Sequence, residues 1–147
     1  MFNEAGNGGA DHAATLSTLA RARPEKLKAI AEIVLDRLAE IEVIANRTGL
    51  VMIPMRDSVE NVDFHLGEVL VSEAHIRDAQ GHVGYGMVAG RDLERAMAMA
   101  VIDLHLAIAG HDDAVARFLT EERSNALAED DLRMRQVEAT RVEMETF

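Results

Sequence analysis

The spacing of apolar residues changes twice along this chain, and this change most constrains the fold. Over residues 24–38 large apolar side chains recur every three or four positions, as on one face of an α-helix. Over residues 41–88 they form β-branched runs or alternate with polar residues, as in strands. Helical spacing returns over residues 93–108. This order predicts an α+β fold, with N-terminal helices, an antiparallel β-meander of about four strands, and C-terminal helices that pack on the sheet and on partners.

The N-terminal part predicts a tail followed by two helices. Residues 1–11 are rich in Gly and Asn and lack periodicity, which indicates a flexible tail ahead of one domain at residues 12–147. A first helix is expected from Ala13 to Ala22. Pro24 suits the first turn of a second helix, which we expect to end near Leu38.

The middle of the chain predicts the sheet. Asn46 to Gly49 and Asp78 to Gly81 have the composition of turns, and they separate apolar runs. Four strands are expected, at residues 41–45, 49–55, 64–76 and 82–88.

Two helical regions follow the sheet. Asp92 is a suitable N-cap for a helix that runs to Ala109 and stops at Gly110. Another helix is expected to start at Asp112 or Asp113, with a break near residues 124–130 and a last helix to about Glu145. Because the apolar residues of that last helix form no single broad stripe, we expect it to bind a partner or to attach loosely.

Composition restricts the classes of function. The net charge of −11 argues against a duplex-binding face and against adhesion to anionic membranes. The absence of Cys excludes disulfides, thiolate zinc sites and cysteine nucleophiles. No apolar run is long enough to span a bilayer, and the N-terminus lacks the pattern of a signal peptide, so a cytoplasmic protein is expected.

The six histidines form no metal-binding motif such as HxH or HExxH. His65 and His75 lie ten positions apart, about 33 Å along a straight strand, although a hairpin could bring them closer to His82. No serine lies in a nucleophile motif. We therefore assign no catalytic residue, and we expect neither a metal nor a cofactor to be bound by this chain.

Glu68 is a candidate interface or structural residue. It alternates in phase with Leu66 and Leu70, so it is expected on the apolar face of its strand, where a carboxylate needs a partner. One interpretation is an acid/base group or a contact to an arginine of another subunit. The other is a structural ion pair, or a bulge at Gly67 that turns Glu68 outward.

A glycine-rich strand leads into the third helix and supplies further candidates. Backbone amides at the start of a helix can bind phosphate, but the spacing here, GxGxxxG, matches neither a dinucleotide fingerprint nor a Walker loop. The alternative is close packing of another backbone against the glycines. The candidate residues are Gly84, Tyr85, Gly86, Gly90 and Arg91.

Arginines lie among acidic residues near the C-terminus. Arg135 and Arg141 could form exposed ion pairs within the last helix, or they could contact a partner, because arginine is enriched at interfaces.

Several segments resemble, in order, the PhnG family of phosphonate metabolism. They are TGLVMIPMRD (48–57), FHLGEVLVSEAHI (64–76), GHVGYGMVAGRD (81–92), AMAVIDL (98–104) and RQVEATRVE (135–143). The resemblance spans most of the chain from Ile41 onwards. The Gly- and Asn-rich N-terminus of this chain is not part of the resemblance. The resemblance also assigns no catalytic residue to this chain.

The resemblance implies a subunit of the carbon–phosphorus lyase core complex, with a structural or assembly role. The implied partners are the H, I and J subunits and proteins like ATP-binding-cassette proteins, together with self-association inside the complex. The implied reaction transfers an alkylphosphonate to ribose C1 of MgATP with loss of adenine. An iron–sulfur cluster and S-adenosylmethionine would belong to a partner subunit. The alternative is a stand-alone ligand-binding module or enzyme that uses Glu68 and nearby histidines.

Overall fold

The computed structural model describes residues 4–142, which form four helices and one three-stranded antiparallel sheet. The α+β class predicted from the sequence is confirmed. None of the helices in the described part of the chain is both long and apolar enough to cross a bilayer. The elements, in chain order, are α1 (Glu4–Arg21), α2 (Pro24–Leu35), β1 (Ile41–Arg56), β2 (Asp63–Asp78), β3 (Val83–Ala89), α3 (Leu93–Ala109) and α4 (Asp113–Ala139).

The two N-terminal helices differ from expectation at their ends. α1 begins at Glu4 instead of Ala13, so residues 4–11, expected as a tail, are helical. Extending a helix that has already formed costs less than nucleating one, which accounts for the earlier start. α2 begins at Pro24 as predicted but ends at Leu35, because the amides of Arg37 and Leu38 bond three residues back in a tighter turn.

The sheet has three strands, and the prediction of a turn between residues 46 and 49 is wrong. β1 runs without interruption for 16 residues, and Asn46 and Gly49 pair with Ala74 and Val71 of β2. β2 is equally long and therefore offers a partner along the whole of β1. The two register shifts in this pairing lie outside residues 46–49, between Val43 and Ala45 and between Ile53 and Pro54.

The core lies between the sheet and α3. One face of the sheet, here called the helix-side face, points toward α3, and its residues Ala74 and Ile76 are fully buried. α2 lies beside α3, and α1 contacts α3, α4 and β3. The largest fully buried side chains are Leu19, Leu27, Ile76, Ile102, Leu104, Val34, Val88, Val115 and Ser72.

α3 begins and ends as the sequence predicts, whereas α4 does not. The Asp92 carboxylate accepts a 2.9 Å hydrogen bond from the amide of Arg95, and Gly110 ends α3 with φ of 75°. α4 continues through residues 124–130 without the predicted break, because this stretch contains neither Gly nor Pro. It packs mainly against α1 rather than on the sheet, and it ends at Ala139, six residues before the expected end at Glu145, a residue outside the described range.

Candidate functional site

A two-stranded arm, residues 50–70, extends beyond the three-stranded part of the sheet, and we call it the hairpin arm. β3 pairs with β2 only between Val71 and Arg77, while β1 and β2 continue to pair with each other as far as Arg56 and Asp63. Beyond Val71 the sheet therefore narrows from three strands to two.

The tip of the hairpin arm is held by local hydrogen bonds. The Asp57 carboxylate accepts bonds from the amides of Val59 and Glu60, at 3.0 and 3.3 Å. Asn61 adopts φ of 57°, a left-handed conformation that asparagine tolerates better than most residues. The Arg56 guanidinium donates a 2.8 Å hydrogen bond to Asp63 across the strands. These contacts fix the turn, so the arm is a defined hairpin.

The helix-side face of the sheet continues along the hairpin arm, but the helix layer does not. α3 starts level with Ser72, whose hydroxyl donates to the Gly90 carbonyl and accepts from the Asp92 amide, both at 2.8 Å. Past this level, Leu50 is 63% exposed and Met52 is 59% exposed. These side chains point to the same face as the buried residues of β2, but no helix of the described residues packs over them.

Further apolar side chains of the arm are exposed as well. Clusters of this kind, rimmed by polar residues, mark binding surfaces more often than single exposed residues do. The other large apolar residues of the arm that are at least a third exposed are Val51, Met55, Val59, Val62, Phe64, Leu66 and Leu70.

Glu68 lies on this uncovered face, directly opposite Met52. Its phase in the strand agrees with the prediction, and it is exposed because no helix of residues 4–142 covers this part of the arm. Within residues 4–142 the ion pair inside the arm is Arg56–Asp63, and the nearest pair outside it is Arg47–Glu73. Neither involves Glu68. A register shift is present, but the extra residue is Leu66 rather than Gly67.

The glycine-rich strand lies directly under α3. A β-carbon at Gly84 or Gly86 would overlap the backbone of Ala100 or Ala96, so these glycines allow a close approach of helix and strand. Gly90 adopts φ of 88° at the turn into α3, and its neighbour Arg91 is exposed. The Asp92 carboxylate already caps the start of α3, where a phosphate would have to bind. This geometry favours packing over phosphate binding.

Tyr85 lies on the opposite face of the sheet from α3. Its ring packs edge-on against His75, with centroids 6.1 Å apart. Partial burial raises the pKa of the Tyr85 phenol above its usual value, and the nearby Glu73 carboxylate adds to this effect. The phenol therefore stays protonated at neutral pH and can act as a hydrogen-bond donor.

The C-terminal arginines form exposed ion pairs inside α4 and just after it. Arg135 contacts Asp131 at 2.8 Å, and Arg141 contacts Glu138 at 3.2 Å. The end of α4 also exposes its large apolar residues, which agrees with the absence of a broad apolar stripe. These residues are Leu127, Leu132, Met134 and Val137.

The histidines near Glu68 do not form a common site. His65 lies opposite Pro54 in the arm, whereas His75 lies opposite Ala45 under the three-stranded part of the sheet. His82 bonds to the Asp78 carboxylate at 2.8 Å. Among residues 4–142 no group of three or more His, Cys, Asp or Glu side chains is arranged to hold a metal ion.

The sequence reasoning missed two pairs of histidine and aspartate. Asp103 is 4% exposed, accepts from the Tyr85 amide at 2.9 Å, and lies 2.7 Å from His12 Nε2. His105 Nε2 lies 2.9 Å from Asp112. The signal for the first pair was a single acid, Asp103, within the otherwise apolar run of residues 96–104.

A cavity of about 330 Å³ opens beside the first of these pairs. Both Asp11 and Asp103 contribute to its lining, together with His12, Thr15 and apolar residues, and none of the described lining residues is Lys or Arg. Two carboxylates without a cation disfavour a phosphonate or a triphosphate. The pair therefore serves to join α1 and β3 to α3.

The site chemistry and the exposed surface together fit the class of proteins that bind other proteins. Within residues 4–142 no group of side chains is arranged to hold a metal ion, and the hairpin arm exposes a cluster of apolar side chains of the kind that binds other proteins. The family model described as phosphonate metabolism protein PhnG matches residues 10–147. This chain therefore belongs to the PhnG family.

A curated relative agrees with this assignment. The chain is 32% identical over 129 residues to a protein of Rhizobium meliloti (strain 1021), and the match covers 88% of this chain and 83% of the relative. That relative is named alpha-D-ribose 1-methylphosphonate 5-triphosphate synthase subunit PhnG.

Proposed function

We propose that this protein is a subunit of an alpha-D-ribose 1-methylphosphonate 5-triphosphate synthase and that it contributes binding surfaces to the assembly rather than catalytic groups. The observation that carries the proposal is the match of 88% of the chain to a relative that bears this subunit name. The exposed apolar hairpin arm supports an assembly role, since large apolar side chains in water are stabilised when a partner covers them.

The proposal extends to the partners and to the cofactors. The H, I and J subunits of the carbon–phosphorus lyase core complex would bind this chain in the cytoplasm, together with proteins like ATP-binding-cassette proteins, and the chain would self-associate inside the complex. MgATP would be a substrate of the complex. The iron–sulfur cluster and S-adenosylmethionine would be bound by a partner subunit, which agrees with the absence of Cys in this chain.

Co-purification tests the assembly role. A tagged copy of this chain, co-expressed with the H, I and J subunits, should retain them through size-exclusion chromatography. Omitting this chain should abolish conversion of ATP and methylphosphonate by the remaining subunits. A tagged chain that elutes alone in the presence of all three subunits would contradict the proposal.

The alternative, a stand-alone enzyme that uses Glu68 and nearby histidines, makes the opposite prediction. Glu68 and His75 lie seven positions apart in β2, and His82, beyond the end of that strand, bonds to Asp78. The isolated chain should therefore leave ATP and methylphosphonate unchanged. Turnover by the purified chain, lost in Glu68→Gln, would favour the alternative.

A further inference from the structure

Among the described residues, the helices on one face of the sheet leave most of β1 uncovered. α3 lies over β2 and β3 and makes few contacts with β1. A groove of about 290 Å³ runs between α2, α3 and β1, with Leu35, Asn46 and Leu93 in its lining. In β1, Asn46, Leu50 and Met52 share the helix-side face, so the groove leads directly onto the uncovered face of the hairpin arm.

The shape of this surface suits one helix. From Asn46 to Met52 the strand extends about 20 Å, the length of a helix of about 13 residues. The neighbouring position in the same layer is occupied by a helix, α3, and residues on the faces of sheets commonly pack against helices. A helix placed beside α3 would cover Leu50 and Met52, and it would also contact Leu35, which is 45% exposed.

The acidic residues around this surface favour a partner with a basic side chain. Glu68 lies among Leu50, Met52 and Leu70, and among the described residues it takes part neither in the ion pair Arg56–Asp63 nor in Arg47–Glu73. Glu32 and Glu94 line the groove. The only basic residue in the lining of the groove is Lys28, which is 3.4 Å from Glu94. A carboxylate on an apolar docking face is desolvated on binding and therefore needs a cationic partner.

We propose that the helix-side face of the hairpin arm, Leu50, Met52 and Leu70 around Glu68, binds an amphipathic helix of another subunit that carries a basic side chain opposite Glu68. The inference rests on the proposed assembly role and adds to it the surface, the kind of element and the charge that would be recognised. The helix lies beside α3, with its apolar face on the arm and its Lys or Arg within hydrogen-bond distance of Glu68.

Two pairs of variants test the surface in the co-expressed complex of this chain with the H, I and J subunits. Leu50→Ser changes the helix-side face, and Val51→Ser changes the next residue, which points to the other face. Glu68→Arg reverses the charge on the docking face, and Glu60→Arg makes the same change at the tip of the arm. Co-purified subunits are quantified against the tagged chain, and thermal midpoints of the isolated variants verify folding.

Leu50→Ser and Glu68→Arg should each reduce co-purification about tenfold, because central interface positions dominate binding, whereas Val51→Ser and Glu60→Arg should stay within about twofold of wild type. Equal retention of the subunits by all four variants and by wild type would overturn the inference and leave the assembly role intact. Failure of the wild-type chain to retain any subunit would overturn both.

A photo-crosslinking amino acid at position 52 identifies the occupant. In the complex, cross-links should fall on one helical peptide of another subunit that contains Lys or Arg. Cross-links to a second copy of this chain, or to an acidic or extended segment, would overturn the inference even if Leu50→Ser weakens assembly.

Discussion

β1 and β2 run through two regions of the molecule that differ in cover rather than in pattern. In the covered half, Ser72, Ala74 and Ile76 of β2 are fully buried under α3. In the hairpin arm, Leu50 and Leu70 continue the same face and are 63% and 37% exposed. Alternation therefore determines which way a side chain points, and the presence of a neighbouring helix determines whether it is buried. The arm has the pattern of a core face that no helix of the described residues covers.

The largest expected difference between the two regions comes from truncating a core side chain. Ile76→Ala should lower the free energy of unfolding by about 2–5 kcal/mol, because it removes buried methyl groups and leaves a cavity beneath α3. The matched change in the arm, Leu66→Ala, should stay within about 0.5 kcal/mol, since Leu66 is 62% exposed. Urea unfolding of the isolated chain measures both. Equal losses would show that the arm is packed in solution.

Adding a methyl group at a glycine should give a smaller difference in unfolding free energy between the two regions. Gly86→Ala should cost about 1–3 kcal/mol, because its β-carbon would overlap the α3 backbone at Ala96. Gly67→Ala is the control on the arm, where a β-carbon meets no atom within 4 Å. The shift in urea midpoint should be clear for Gly86→Ala and small for Gly67→Ala. A tolerated Gly86→Ala would contradict the close contact between α3 and β3.

Acid should lower the stability of the folded chain at the junction of α3 and α4, where Asp112 caps α4. The hydrogen bond from His105, followed by the amide of Val115, holds the pKa of Asp112 at about 2, below its ordinary value of 3.8. The unfolded chain thus takes up this proton at higher pH than the folded chain does. The stability that Asp112 supplies is complete above about pH 4 and is lost as pH falls through about 2.

Asp112→Asn tests this effect with a side chain of the same size. Wild type should have the higher thermal midpoint at pH 6, and the gap between the two proteins should close between about pH 4 and pH 2. A gap that stays constant over this range would show that folding does not lower the pKa of Asp112 and would contradict this account.

Local signals predicted the elements that depend on local chemistry. Asp92 and Gly110 set the ends of α3 because capping is decided by a few neighbouring residues. The continuous β1 could not be predicted in this way. Asn46 and Gly49 favour a turn locally, and they are extended here because β2 pairs with them over its whole length.

The candidate surface was only partly predictable for a similar reason. The alternation around Glu68 gave its face correctly, but exposure depends on where α3 begins, and that position is set by the hydrogen bonds between Ser72 and the turn at Gly90. The contact of Asp103 with His12 joins residues 91 positions apart. Asp103 was visible in the sequence as the one acid in an apolar run, whereas its partner was not.

Amide hydrogen exchange, measured on the isolated chain and on the complex with the H, I and J subunits, tests the central claim most directly. In the isolated chain, residues 71–77 of β2 should be protected and the hairpin arm should exchange faster. In the complex, amides of residues 50–56 and 63–70 should slow about tenfold or more, while those of residues 71–77 change little. Unchanged exchange in the arm of an intact complex would contradict the claim that another subunit covers it.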